Sequence, residues 1–160
     1  MLYALNSCNH NDTDSHAPAH HTIDESTAPA ELKLTPKFQE LLKKEMREIQ
    51  SAMQEILPSI AKGESEKTAR LAEQIHNSFI LKNALSKKEL KQLITLLPAN
   101  FVKIDRVFHS DAAKLAEAAK QSDFARSAEI FGGMVNACVN CHSRFANVEF
   151  PELQKTATTH

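Results

Sequence analysis

From Leu32 onward the apolar residues recur with a helical period. Between Phe38 and Leu57 they are Phe38, Leu41, Leu42, Met46, Ile49, Met53, Ile56 and Leu57. Steps of mostly three and four residues are those of one buried helix face. Thr35 and Pro36 supply an N-cap hydroxyl and a proline at the first helical position, and Pro58 and Gly63 mark the end and the turn. A second helix is predicted from about Ser65, with Leu71, Ala72, Ile75, Ser78 and Phe79 inward. After a connection around Asn83, Ser86-Lys87-Lys88-Glu89 forms a capping box for a short helix through Leu97. Pro98 closes that helix and opens a third long one, with Phe101, Ile104, Val107, Phe108, Leu115 and Ala119 on one side. Ser122 or Asp123 caps the fourth. Its stripe is Phe124, Ala128, Phe131, Val135 and Cys138, and it continues through His142 towards Phe145.

Four amphipathic helices with short connections predict an all-α domain over residues 32–150, an antiparallel up-down-up-down four-helix bundle. Composition agrees: three Gly, no Trp and one Tyr in a chain of 160 residues, which is one domain's length. Residues 1–31 have no apolar periodicity and read as a disordered N-terminal tether. His10, His16, His20 and His21 in that stretch read as part of a solvated linker rather than a metal site. Residues 151–160 form a C-terminal tail. A net charge of −1, from 19 basic and 20 acidic residues, gives nucleic acid no electrostatic footing. No apolar run has the length of a membrane span.

The chemistry concentrates in Cys138-Val139-Asn140-Cys141-His142. C-x-x-C-H is the attachment signature of c-type haem. On a helix the two cysteines and the histidine project from one face. Two thiols can form thioethers to the two vinyl groups of one porphyrin, and His142 can reach the iron from the proximal side. A zinc site wants a second pair of ligands, and a thioredoxin-like site wants β-α-β patterning; neither is present in the sequence. One covalent haem c per chain is expected, at one end of the bundle and fixed to its last helix. Gly132 and Gly133 within that helix cost roughly 2 kcal/mol against alanine. They signal close approach by a neighbour or the haem edge, or a local kink.

A four-helix bundle with C-x-x-C-H near the end of its last helix resembles the cytochrome c′ family, over roughly Leu34 to Phe150. Members often follow the motif with an aromatic residue and then Arg. Here Phe145 matches the aromatic, Ala146 stands at the Arg position, and Arg144 comes two positions early. The family divides at the sixth iron position. One branch leaves it empty behind an apolar side chain and binds NO or CO; the other fills it with Met from the first helix and transfers electrons. Met46, followed by Arg47, resembles that ligand position, so the resemblance favours the low-spin branch with His142 and Met46 on the iron. It also implies homodimer pairing through the first two helices.

Bundle topology bears on Met46 as well. The end of the fourth helix lies level with the start of the first, which puts Met46 nearer the haem end. Met53, about 10 Å further along the same face, lies nearer the turn. His76 and His109 are the other candidate ligands: His109 adjoins Ser110 and Asp111, a polar surface stretch, whereas His76 lies beside the inward Ala72 and Ile75. No acid-base or nucleophile constellation appears, so the expected function is one-electron transfer between redox partner proteins and not enzymatic catalysis. A module binding NO or CO is the alternative, and a helical bundle with a structural dithiol the third. Covalent haem attachment to this motif implies assembly outside the cytoplasm, in the periplasm. Leu5-Asn6-Ser7-Cys8 resembles a bacterial lipobox, which would tether the protein to a membrane through a lipid on Cys8.

Overall fold

The computed structural model describes residues 31–78 and 80–155. Cys8, the four N-terminal histidines and Phe79 lie outside the described residues. The elements are α1 (Pro36–Ala61), α2 (Ser65–Asn77), the single turn α3 (Leu81–Ala84), α4 (Lys87–Leu96), α5 (Ala99–Lys120), α6 (Phe124–Phe145) and the short α7 (Glu152–Lys155). Helices α1, α2, α5 and α6 form the bundle, each packed on the next, with α6 closing on α1. The α2–α5 seam is the most extensive of the four and the α1–α6 seam the least.

Local chemistry sets the boundaries. Thr35 caps α1, with Pro36 behind it. Pro58 does not end α1, which runs on to Ala61. Proline removes one amide and crowds the preceding turn, which is tolerated here near the helix end, where the Pro58 carbonyl still accepts from Lys62 (3.1 Å). Gly63 turns the chain at φ 73°, in the left-handed region that suits glycine. Both bonds of the α4 capping box are present: Glu89 N–H donates to Ser86 Oγ, and Ser86 N–H to Glu89 Oε2. Lys37 of α1 also pairs with Glu89, which ties α4 to the bundle. Asp123 is the cap of α6, accepting from the Arg126 amide at 2.9 Å.

The main core runs through Ile49, Ala52, Ile56, Leu71, Ala72, Ile75, Phe108, Ala112, Leu115, Ile130 and Met134. Three inward faces, on α6, α1 and α5, differ from the sequence expectation. On α6, Ser127, Ile130 and Met134 are buried, while Ala128 and Val135 face solvent and Phe131 sits at the border. The face is rotated by one position because Ser127 can be buried: its hydroxyl donates to the Asp123 carbonyl at 2.7 Å. On α1, Leu57 is 58% exposed, and Glu45, Ala52 and Ser59 are buried in the stripe. Ser59 satisfies its hydroxyl with the Ile56 carbonyl and Thr68 Oγ1, both at 2.8 Å. Val107, expected inside, is exposed.

Candidate haem-binding site

Two small apolar clusters build the end of the bundle where α6 finishes. Phe38, Leu85 and Leu93 bury one with Leu34, Leu41, Leu81, Leu90 and Leu97, so α4 closes over the start of α1. Phe101, Ile104 and Phe145 form the other with Leu32, Leu42, Leu97 and Cys141. Phe101 meets Phe145 edge-on at 5.4 Å, which fixes the last turn of α6 against the first turn of α5.

Cys138, Cys141 and His142 all lie on α6, half-buried, and both thiols are free. Burial pushes the Cys138 thiol up. Cys141 is pushed up to about 12, first by burial, then by the carboxylate of Asp105 and by Cys138. Both are therefore neutral thiols at ordinary pH, unlike a dithiol redox centre, which needs a lowered thiol pKa. Burial pulls His142 below its ordinary pKa, so its imidazole is neutral, the form that binds a metal. Among the described residues no three His, Cys, Asp or Glu side chains are grouped to hold a bare ion. Two neutral thiols and a neutral imidazole on one helix, beside an apolar interior, fit a porphyrin with covalent anchorage and one protein ligand. Cys138 and Cys141 would hold its edge and His142 its iron.

The candidates for the second axial position now have surroundings. Met46 and Met53 are both half-buried against the main core, the cluster that Cys138 also joins. Met134, on α6 itself, is fully buried core. The histidines reverse the sequence expectation: His76 is exposed and His109 is the half-buried one. His109 is turned towards α2, where its Nδ1–H donates to the Ile75 carbonyl at 2.6 Å. Asp105 lies 3.6 Å from its other nitrogen, at ion-pair rather than hydrogen-bond distance. His76 Nδ1–H donates in return to the His109 carbonyl (3.0 Å). Both rings are occupied in clasping α2 to α5. Gly132 and Gly133 are exposed, and a Cβ at either would meet nothing within 4 Å, so no neighbour approaches them closely. Arg144 donates from Nε to Asn140 Oδ1, one turn back along its own helix (2.8 Å).

Three contacts at this end went unread in the sequence. Glu45, only 1% exposed, accepts from Ser78 Oγ (2.8 Å), Ile80 N (2.6 Å) and Leu81 N (3.1 Å). A carboxylate seven residues after Phe38 and four before Ile49 was its signal. Lys43 of α1 pairs with Glu149 at 3.0 Å, drawing the segment after α6 onto α1. In that segment Phe150 stacks on the His142 ring. At the opposite end, the concavity at Gly63, Glu64, Ser65, Glu66 and Lys67 is open to solvent and far from this chemistry.

A bundle of this topology with a C-x-x-C-H site on its last helix is that of a monohaem c-type cytochrome. The chain belongs to the cytochrome c′ family: the family model described as Cytochrome C' matches residues 35–146, which include all four bundle helices and the motif. The family implies covalently bound haem c. No curated protein and no solved structure matches the chain.

Proposed function

We propose that this protein is a one-electron carrier whose iron is held by His142 and Met46, with Cys138 and Cys141 as the thioether anchors. The carrying observation is the register of α1 against α6. Leu42 and Cys141 pack against the same small cluster; Met46 lies one turn further along α1, and Cys138 one turn back along α6. In an antiparallel pair these two steps run the same way, which supports Met46 at the level of the motif. Met53, two turns beyond, then falls level with the middle of α6.

When bound, haem iron supplies a ferric/ferrous couple, and a thioether ligand raises its potential. Cys138 and Cys141 would bind the porphyrin edge, and His142, with its neutral imidazole, would hold the iron. The reading has no enzymatic step. The partners are redox proteins, and an acidic surface suits this one. Between residues 81 and 106 the exposed cations are Lys82, Lys87, Lys88, Lys91, Lys103 and Arg106. The acids of that stretch, Glu89 and Asp105, are engaged with Lys37 and His109. Periplasmic location and a lipid on Cys8 belong to the same proposal. Among the described residues no helix is long and apolar enough to cross a membrane. A homodimer through α1 and α2 would cover the exposed Leu57.

The test is the ferric spectrum. His/Met ligation gives low-spin iron and the weak long-wavelength sulfur-to-iron band. Met46→Ala should abolish that band, convert the iron to high spin, lower the potential and admit CO, while Met53→Ala should do none of these. A wild-type protein already high-spin and CO-reactive would instead establish the second reading, a five-coordinate module binding NO or CO. That reading is favoured by the packing of Met46 against the main apolar core, which a core role alone explains.

A further inference from the structure

We infer that Phe150 is a positioning residue for the axial histidine: it stacks on the His142 ring and fixes the plane in which the imidazole meets the iron. The inference rests on His142 as the proximal ligand and is independent of what fills the sixth position.

The two rings lie 4.6 Å apart, centroid to centroid, and 13° from parallel. Rotation of the imidazole about its Cβ–Cγ bond would drive a ring edge into the phenyl face, so the stack selects one orientation. Metal-binding histidines are ordinarily oriented by a hydrogen bond from their second ring nitrogen to a carboxylate, carbonyl or water. Among the described residues no protein group accepts from the His142 ring. The aromatic plate adds an orienting contact on the face of the ring.

Phe150 is itself held. The Ala146 carbonyl accepts from the amides of Glu149 (3.1 Å) and Phe150 (2.9 Å), and the Ala146 amide donates to the His142 carbonyl (3.0 Å). The Phe150 carbonyl accepts from Leu153 (3.1 Å). Lys43 binds Glu149 from α1. The strap 146–150 is thus pinned at both ends and against the bundle. Phe150 nevertheless remains 44% exposed, so filling the core does not account for its place. One face of the ring lies on the ligand.

The experiment uses the haem-loaded protein with Phe150→Ala, Phe150→Leu and Phe150→Tyr. In a low-spin protein, the haem-methyl hyperfine shifts and the electron-paramagnetic g-anisotropy of the ferric state report the imidazole plane. In a high-spin protein, the iron–histidine stretch of the ferrous state reports the same ligand. Phe150→Ala and Phe150→Leu should reorder the methyl shifts, or displace and broaden the stretch, and Phe150→Tyr should restore the wild-type pattern. Wild-type signals in Phe150→Ala, with only a lower melting temperature, would overturn the inference. A His142→Gly protein that keeps the wild-type spectrum would remove the axial histidine, and this inference with it. A high-spin wild type would defeat only Met46 ligation and leave the stacking test standing.

Discussion

Glu45→Ala should destabilise the protein severely, although the residue lies on no motif. Its carboxylate is buried and accepts at least three hydrogen bonds from residues 78–81. Two of these come from backbone amides, and the third is from Ser78, which holds the left-handed φ of 62° that ends α2. With ψ at 135° as well, this sparsely populated backbone costs a non-glycine residue on the order of 1–3 kcal/mol, which the Glu45 bond helps to offset. Bonds to a charged acceptor contribute about 1.5–3 kcal/mol each. The donors are half-buried, so water replaces part of the loss after truncation. The expected cost of Glu45→Ala is therefore about 3–5 kcal/mol, at the upper end for single substitutions. Glu45→Gln keeps one acceptor oxygen but turns an amide donor towards donors, and should cost about 1–3 kcal/mol. Equilibrium urea unfolding of the haem-loaded protein measures both. A loss below 1 kcal/mol for Glu45→Ala, with an unchanged slope against urea, would refute this account of the α2–α4 connection.

Cys138→Ala leaves one possible thioether, so holoprotein yield should fall sharply; acid acetone that strips all haem from the wild type would reject covalent attachment. For His109, burial lowers the pKa, but Asp105, the Ile75 carbonyl and Glu45 together raise it above its ordinary value of 6.5. Its contribution to stability should be fully present below pH 6.5 and lost as pH rises through the folded-state pKa, and Asp105→Asn should flatten that part of the stability–pH curve. Ferricyanide oxidation of the ferrous protein should slow as salt increases despite the net charge of −1, because the cations of residues 81–106 lie at the haem end. Lys87→Glu with Lys91→Glu should weaken or invert that dependence, and an unchanged slope would count against an acidic partner. In cells that export the protein, Cys8→Ser should move it from the membrane fraction to the soluble periplasm; unchanged partitioning would reject the lipid anchor.

Much of the fold was legible because a helix repeats its environment every three or four residues. The spacing of Ile49 and Ile56, the Thr35-Pro36 start and the Ser86–Glu89 capping box each declare themselves within one or two turns. The motif was legible for the same reason, since Cys138, Cys141 and His142 need only one helix to share a face. Local signals also had limits. Pro58 reads as a stop, yet α1 passes it, because a missing amide near a helix end loses one bond and not the helix. The α6 stripe shifted by one position because buried Ser127 looks polar in sequence and becomes acceptable only once Asp123 supplies its acceptor. Tertiary contacts alone decided which charged and aromatic side chains act together. Glu45 meets Ser78 to Leu81 across more than thirty residues, His109 reaches Ile75 across α5 and α2, and Phe150 folds back over His142 beyond the end of the helix. None of these pairs has a periodic signature. Each depends on how long the chain runs before it returns, and that is set by packing, which no local pattern encodes.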